Sequence, residues 1–211
     1  MDDGIVRAEE IVRDQAGLRS RYAEPSELVR NKVLNRIDRH ARAFIGLSPF
    51  LVIATAGADG SADASPRGDA PGFVTVADEK TLLIPDRRGN NLCDSLSNVV
   101  ENPKVGLVFF VPGVNETLRV NGGAAITTNP AVLQPMAVDG KVPTSALRVT
   151  VDQLYFHCGK ALIRSRLWDP TVQIERGSFP TLGKILSDQI KGVDTEQADA
   201  RLENSYRNHL Y

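Results

Sequence analysis

Between Phe50 and Ile126 the apolar, β-branched runs follow one another so closely that most of the links between them leave no room for a helical crossover. Phe50 to Thr55 breaks at Ala56 to Gly60, where Asp59-Gly60 is a strong hairpin signal, and its partner strand runs Ser61 to Ser65. Gly72 to Ile84 reads as two strands joined by a turn at Asp78, Glu79 and Lys80, with Phe73, Val74 and Val76 before the turn and Leu82, Leu83 and Ile84 after it. Val105 to Val111, a turn at Pro112-Gly113 and Thr117 to Ile126 form a further pair, and Leu147 to Val151 has the composition of another strand. Strands joined by tight turns pair antiparallel, because parallel neighbours need a long crossover. Five or six such strands and few helices predict a mainly-β fold, an antiparallel barrel with peripheral helices.

The helices read from period and punctuation. From Ser26 to Phe44 the residues Val33, Leu34, Ile37, Ala41 and Phe44 recur at three- and four-residue steps, Ser26 can cap the start and Gly46 can end the run. Its charged residues Arg30, Lys32, Arg36 and Arg39 fit a solvated face. Leu92, Leu96, Val99 and Val100 predict a short helix that stops at Asn102-Pro103. Asn129-Pro130 starts a brief helix through Met136, Ala137 to Ser145 is a loop, and Thr181 to Asp188 and Thr195 to Asn208 are two more helices. The chain thus divides into an N-terminal arm over residues 1–25, a domain over residues 26–170 that includes the first helix, and a helical extension over residues 171–211 packing on that domain.

Reactive residue types concentrate in Ser65 to Asn91. The hairpin brings its two ends together, Ser65-Pro66-Arg67-Gly68 on one side and Asp86 to Asn91 on the other, just before the helix that begins at Leu92. A strand, a glycine-containing loop and a helix start supply outward N–H groups and a favourable dipole, and arginines add forked hydrogen bonds, so the stretch reads as an anion cradle. A second cluster lies in Asp152 to Trp168. If Gly159 to Arg166 is helical, Lys160 and Arg164 share one face and can reach one anionic target, with Trp168 just beyond.

Other function classes are excluded by what is missing. A net charge of −1 gives no basic field for nucleic acid. The apolar runs are too short to span a bilayer, and the charged start MDDGIVRAEE differs from a signal peptide, which together predict a soluble, cytoplasmic protein. Cys93 and Cys158 are too few for a disulfide framework or zinc site, and His40, His157 and His209 have no paired ligand spacing. His157 beside Cys158 does not make a nucleophile and base, since strand neighbours point to opposite faces. Gly140-Lys141 lacks the upstream glycine of a P-loop.

The order of these features resembles the FMN-binding split barrels related to pyridoxamine 5′-phosphate oxidase, over about Ile45 to Pro170. The residues that carry the likeness are Glu101 to Phe109, Thr117 to Gly122 and Ser65 to Arg67. More narrowly, Ser65 to Asp69 with Phe156 to Trp168 resembles a PPOX-class subgroup of that superfamily. The resemblance implies a six-stranded antiparallel split β-barrel and a homodimer with FMN at its interface. It places the flavin phosphate on Arg67, Arg88, Gly89, Asn90 and Asn91, with Ser65 and Pro66 beside Arg67 on the flavin-binding strand, and the ring against Ile84, Pro85 and Asp86. The anionic target of Lys160 and Arg164 is then either the flavin phosphate or ring carbonyls across the dimer or a carboxylate or phosphate of the substrate, and Trp168 either closes over the ring edge or is core. Asn90 and Asn91 stand where the oxidase has a basic pair, and its substrate-phosphate residues have no match, so pyridoxamine phosphate is not implied as substrate. The function implied is an FMN-dependent oxidoreductase acting on a small organic molecule. Alternatives are a flavin sensor or storage protein without turnover, and a reductase using the deazaflavin F420.

Overall fold

The computed structural model describes residues 11–211, so the first ten residues of the expected arm lie outside the described residues. The chain divides into two compact units, one up to Val33 and one from Leu34 to Tyr211. In the first, Asp14 caps helix α1 (Gln15–Arg19) and Ser26 caps helix α2 (Glu27–Asn31), each side chain accepting an N–H of the first turn.

The second unit is built on one antiparallel sheet of seven strands: β1 (Phe50–Ala56), β2 (Ala62–Gly68), β3 (Thr75–Val76), β4 (Thr81–Pro85), β5 (Lys104–Phe110), β6 (Thr117–Thr127) and β7 (Ala146–His157). Their order across the sheet is β2-β1-β5-β6-β7-β4-β3. The mainly-β, antiparallel expectation holds, with two corrections: there are seven strands rather than six, and the sheet is open. Its edges explain this. Pro66 withdraws a ladder donor, which suits β2 to an edge. On the far side β3 contributes only Thr75 and Val76 against Leu83 and Leu82, because the chain turns at Pro71 and Gly72 (φ 86°), Phe73 N–H closing on Ala70 O, and bends again at Val74, where the sequence reading had a strand.

Alternation along the strands builds the core. Leu51 and Ile53 of β1, Val105, Leu107 and Phe109 of β5, Leu118 and Val120 of β6, and Val149 and Val151 of β7 are all buried in one cluster. Helix α3 (Arg39–Leu47) closes it with Ala41, Phe44 and Ile45, and Phe44 meets Phe156 edge-on at 5.5 Å between centroids. Helix α4 (Asp94–Glu101) adds the buried Val99. The brief helix after Asn129, α5 (Pro130–Leu133), runs on into a 3-10 turn ending at Met136, and the tail carries α7 (Leu182–Gln189) and α8 (Thr195–Asn208), both as expected. The short α6 (Lys160–Ser165) follows β7, between α5 and α7.

Two elements differ from the sequence reading for a tertiary reason. The single helix expected from Ser26 to Phe44 is broken, because residues between α2 and α3 lend their backbone to β7 and to the turn between β3 and β4. Leu34 exchanges hydrogen bonds with Leu154 (2.8 and 2.7 Å), and Ile37 N–H donates to Glu79 O at 2.7 Å. Strand β7 continues to His157 instead of ending at Val151, pairing with β6 through a bulge at Asn121/Gly122. Gly122 permits that bulge: a Cβ there would lie 2.0 Å from Thr150 O.

Candidate functional site

Strand β2 alternates, and its period of two places Asp63, Ser65 and Arg67 on one half-buried side while Ala62, Ala64 and Pro66 face out. Opposite that side stand the end of β4 and the start of α4. Between them lies a cleft of about 300 Å³, lined among others by Ser65, Arg67, Phe73, Pro85, Asp86 and the loop from Arg87 to Leu92. The two ends of the hairpin therefore meet as the sequence implied. One boundary differs: Ser65, Pro66 and Arg67 are strand residues, where the sequence reading ended the strand at Ser65.

The cleft is rich in donors. One NH of Arg67 donates to Ser65 Oγ at 2.5 Å and to Pro66 O at 2.9 Å, which aims the guanidinium along the strand edge. Helix α4 opens on Cys93 in the left-handed conformation (φ 60°), and Cys93 lends no side-chain hydrogen bond to the helix start. Uncapped N–H groups at a helix start attract anions through their partial positive charge. Asn91 is also left-handed (φ 62°), and Asn90 Oδ1 accepts Leu92 N–H at 2.9 Å, so the loop turns sharply into the helix. Arg88, Gly89, Asn90 and Asn91 are exposed along it.

Two carboxylates shape the electrostatics. Asp63 accepts Ser95 Oγ–H at 2.7 Å and Thr55 Oγ1–H at 3.4 Å, joining β2 to α4 and β1 beneath the cleft. Asp86 is half-buried, and burial raises its carboxyl above the ordinary value although Arg67 nearby pulls it back down. Ile84 is a core side chain and does not line the cleft. It and Pro85 lie beyond the last residue that β3 pairs, so that edge of β4 has no strand partner on that side.

Lys160, Arg164 and Trp168 do not line this cleft in the same chain. Lys160 and Arg164 are exposed on or beside α6, while Trp168 is partly buried with its indole N–H donating to Val114 O at 2.9 Å. The sequence reading missed Asp63 and Phe73, both of which line the cleft, and the signal for Asp63 was available in its two-residue spacing from Ser65 and Arg67. It also missed Asp69 and Tyr211, which bracket Arg87. Cys93 and Cys158 are exposed free thiols, and among the described residues no cluster of His, Cys, Asp or Glu is placed to hold a metal. No helix among them is long and apolar enough to cross a membrane.

A family model described as pyridoxamine 5′-phosphate oxidase matches residues 37–158. No curated protein matches the chain. Similar solved structures include HupZ of Group A Streptococcus, 18% identical over 57% of this chain and 93% of that one, with a TM-score of 0.47. An FMN-binding protein from Syntrophomonas wolfei is 11% identical over 55% of this chain and 82% of its own, with a TM-score of 0.44. HutZ, the heme storage protein from Vibrio cholerae, is 14% identical over 58% and 94%, with a TM-score of 0.41.

Proposed function

The chain belongs to the pyridoxamine 5′-phosphate oxidase family, whose model covers more than half of it, and from that premise we propose that the cleft between β2 and α4 binds FMN in an oxidoreductase acting on a small organic molecule. The observation that carries this reading is the convergence of Arg67, Arg88 and the uncapped start of α4 on one cavity. A phosphate suits that donor set: a guanidinium gives it forked, charge-assisted hydrogen bonds, and a helix start gives it outward N–H groups and a favourable dipole. Ser65, Gly89, Asn90 and Asn91 add neutral donors, which replace the basic pair of the oxidase pattern. The unpaired edge of β4 at Ile84 and Pro85, with Asp86 beside it, offers backbone groups to the flavin ring.

Bound FMN supplies hydride chemistry, and the chain's residues bind it, orient it and set its local charge. At about 300 Å³ the cleft is at the lower end of small-molecule sites, which span roughly 300–1,000 Å³. That size supports a site completed by a second copy of the chain. The outer side of β1 and β5 carries the cross-strand pairs Phe50 with Phe110 and Val52 with Val108, none of them fully buried, and such an apolar face supports a homodimer. Lys160, Arg164 and Trp168 would then reach the flavin from the partner. The test is a pair of titrations of flavin-free protein: FMN binds more tightly than riboflavin by about tenfold or more, the worth of one charge-assisted hydrogen bond. Equal affinities refute the phosphate site. Anaerobic reduction of the complex by NADH or NADPH separates an oxidoreductase from a flavin carrier, which would hold FMN without being reduced.

A further inference from the structure

We propose that Tyr211 is a positioning residue for the cleft: with Asp69 and Arg87 it forms a half-buried latch that fixes the loop from Asp86 to Asn91, and so sets the phosphate-dependent part of flavin affinity. The inference rests on the reading of the cleft as an FMN site. Asp69 lies two residues beyond Arg67, and its side chain is only 2% exposed. Its carboxylate accepts Arg87 Nε–H at 2.6 Å, the Tyr211 hydroxyl at 2.7 Å and Ala70 N–H at 2.7 Å. Arg87 is held from two further directions, donating to Met136 O at 2.8 Å and lying over the Tyr211 ring at 5.5 Å. Burial pushes the Asp69 carboxyl up, and the bonds from Tyr211, Ala70 and Arg87 outweigh that and hold it below the ordinary carboxylate value.

The position of this knot makes it more than local packing. Asp86 N–H is tied to Ser145 O at 2.9 Å and Arg87 to Asp69, but among the described residues 88–91 make no hydrogen bond to the body of the fold. Behind that stretch is a second cavity of about 350 Å³, lined by Arg88, Gly89, Asn91, Lys141, Thr144 and Tyr211. The loop is therefore a thin wall with open space on both sides. Arg87 is its last anchor before Arg88, and Tyr211, 142 positions away from Asp69 in sequence, completes the anchor. An anion site whose donors are fixed before binding avoids the ordering cost that a mobile loop would add.

Tyr211→Phe keeps the ring over Arg87 and removes only the hydroxyl. Two readouts are taken on the full chain, with Tyr206→Phe, an exposed tyrosine of α8, as control. In flavin-free protein, amide hydrogen exchange at Asp86 and Leu92, whose N–H groups are bonded to Ser145 O and Asn90 Oδ1, speeds up in Tyr211→Phe and not in Tyr206→Phe. The ratio of FMN to riboflavin affinity then falls by about tenfold, while riboflavin affinity itself stays at the wild-type value. Asp69→Asn, which keeps the shape and removes the charge, gives the same pattern. Unchanged exchange in Tyr211→Phe overturns the latch, and faster exchange with an unchanged ratio overturns its role toward the phosphate. Equal wild-type affinity for FMN and riboflavin defeats the phosphate site and this role together. The exchange result alone still decides whether Tyr211 fixes the loop.

Discussion

Replacing Arg67 with alanine tests the phosphate contribution, because the guanidinium's hydrogen bonds stay within β2 and it acts on the nearby Asp86 carboxylate only through space. Its hydrogen bonds to Ser65 Oγ and Pro66 O come from one nitrogen of a group with five N–H donors, so the others remain to face the cleft. Both partners lie on the edge strand β2, where water can take over, and the variant should keep its unfolding free energy within about 0.5 kcal/mol of wild type. Toward FMN the loss is that of a hydrogen bond to a charged group, about 1.5–3 kcal/mol. That corresponds to an affinity lower by about ten- to over a hundredfold. Quenching of flavin fluorescence during titration of flavin-free protein measures it, and riboflavin serves as the control ligand, with its affinity unchanged. Added salt should weaken FMN binding more in wild type than in Arg67→Ala, since the variant has lost one of the charges that salt screens. An Arg67→Ala protein that binds FMN within about twofold of wild type, or that loses FMN and riboflavin equally, would show that the guanidinium does not meet the phosphate.

Asp86→Asn tests the charge on the other wall. Because burial raises the Asp86 carboxyl above its unfolded value, the penalty for its charge is absent below that value, about pH 4, and grows as pH rises through the folded value. The variant should therefore melt higher than wild type at pH 7 and match it at about pH 3; thermal melts at the two values decide it, and equal melts at pH 7 refute the burial argument. Lys160→Ala and Arg164→Ala, exposed on α6, should leave the melting temperature unchanged and weaken flavin binding; wild-type affinity and reduction in both would assign the segment to structure alone. If a second copy completes the site, sedimentation at low micromolar protein gives a dimer, and FMN at a hundred times its Kd adds about 2.7 kcal/mol of stability. A monomer with one FMN per chain contradicts the shared site.

What the sequence disclosed of the fold follows from which forces act locally. Asp59-Gly60 is legible as a turn because Gly60 must take a positive φ (85°), and the structure has the Gly57 N–H to Ser61 O bond that such a turn closes. The alternating strands β1 and β5 are legible because one side of each is core. The break between α2 and α3 was not, since nothing in the spacing of Leu34 and Ile37 distinguishes a helix from residues whose N–H groups are claimed by Leu154 and Glu79 far along the chain. The extent of β7 was hidden for the same reason: Tyr155 and Phe156 belong to the sheet because β6 is long enough to pair with them.

The candidate site divides along the same line, and the division bears on how it could work. Arg67 is legible because a strand fixes its direction: once β2 pairs with β1, period two decides where Asp63, Ser65 and Arg67 point. Arg88 is legible only as a residue type, because a loop does not fix direction and the groups that steady it, Asp69, Met136 and Tyr211, come from three distant places. An anion meeting both arginines thus meets one donor positioned by secondary structure and another positioned by tertiary contacts. Perturbing the sheet edge should change both the fold and the site, whereas perturbing the latch should change the site with little effect on the sheet, since β7 and β4 pair without it. Sensitivity of flavin affinity to substitutions at Asp69 and Tyr211, outside the cleft's own lining, is the expected mark of a site assembled in that way.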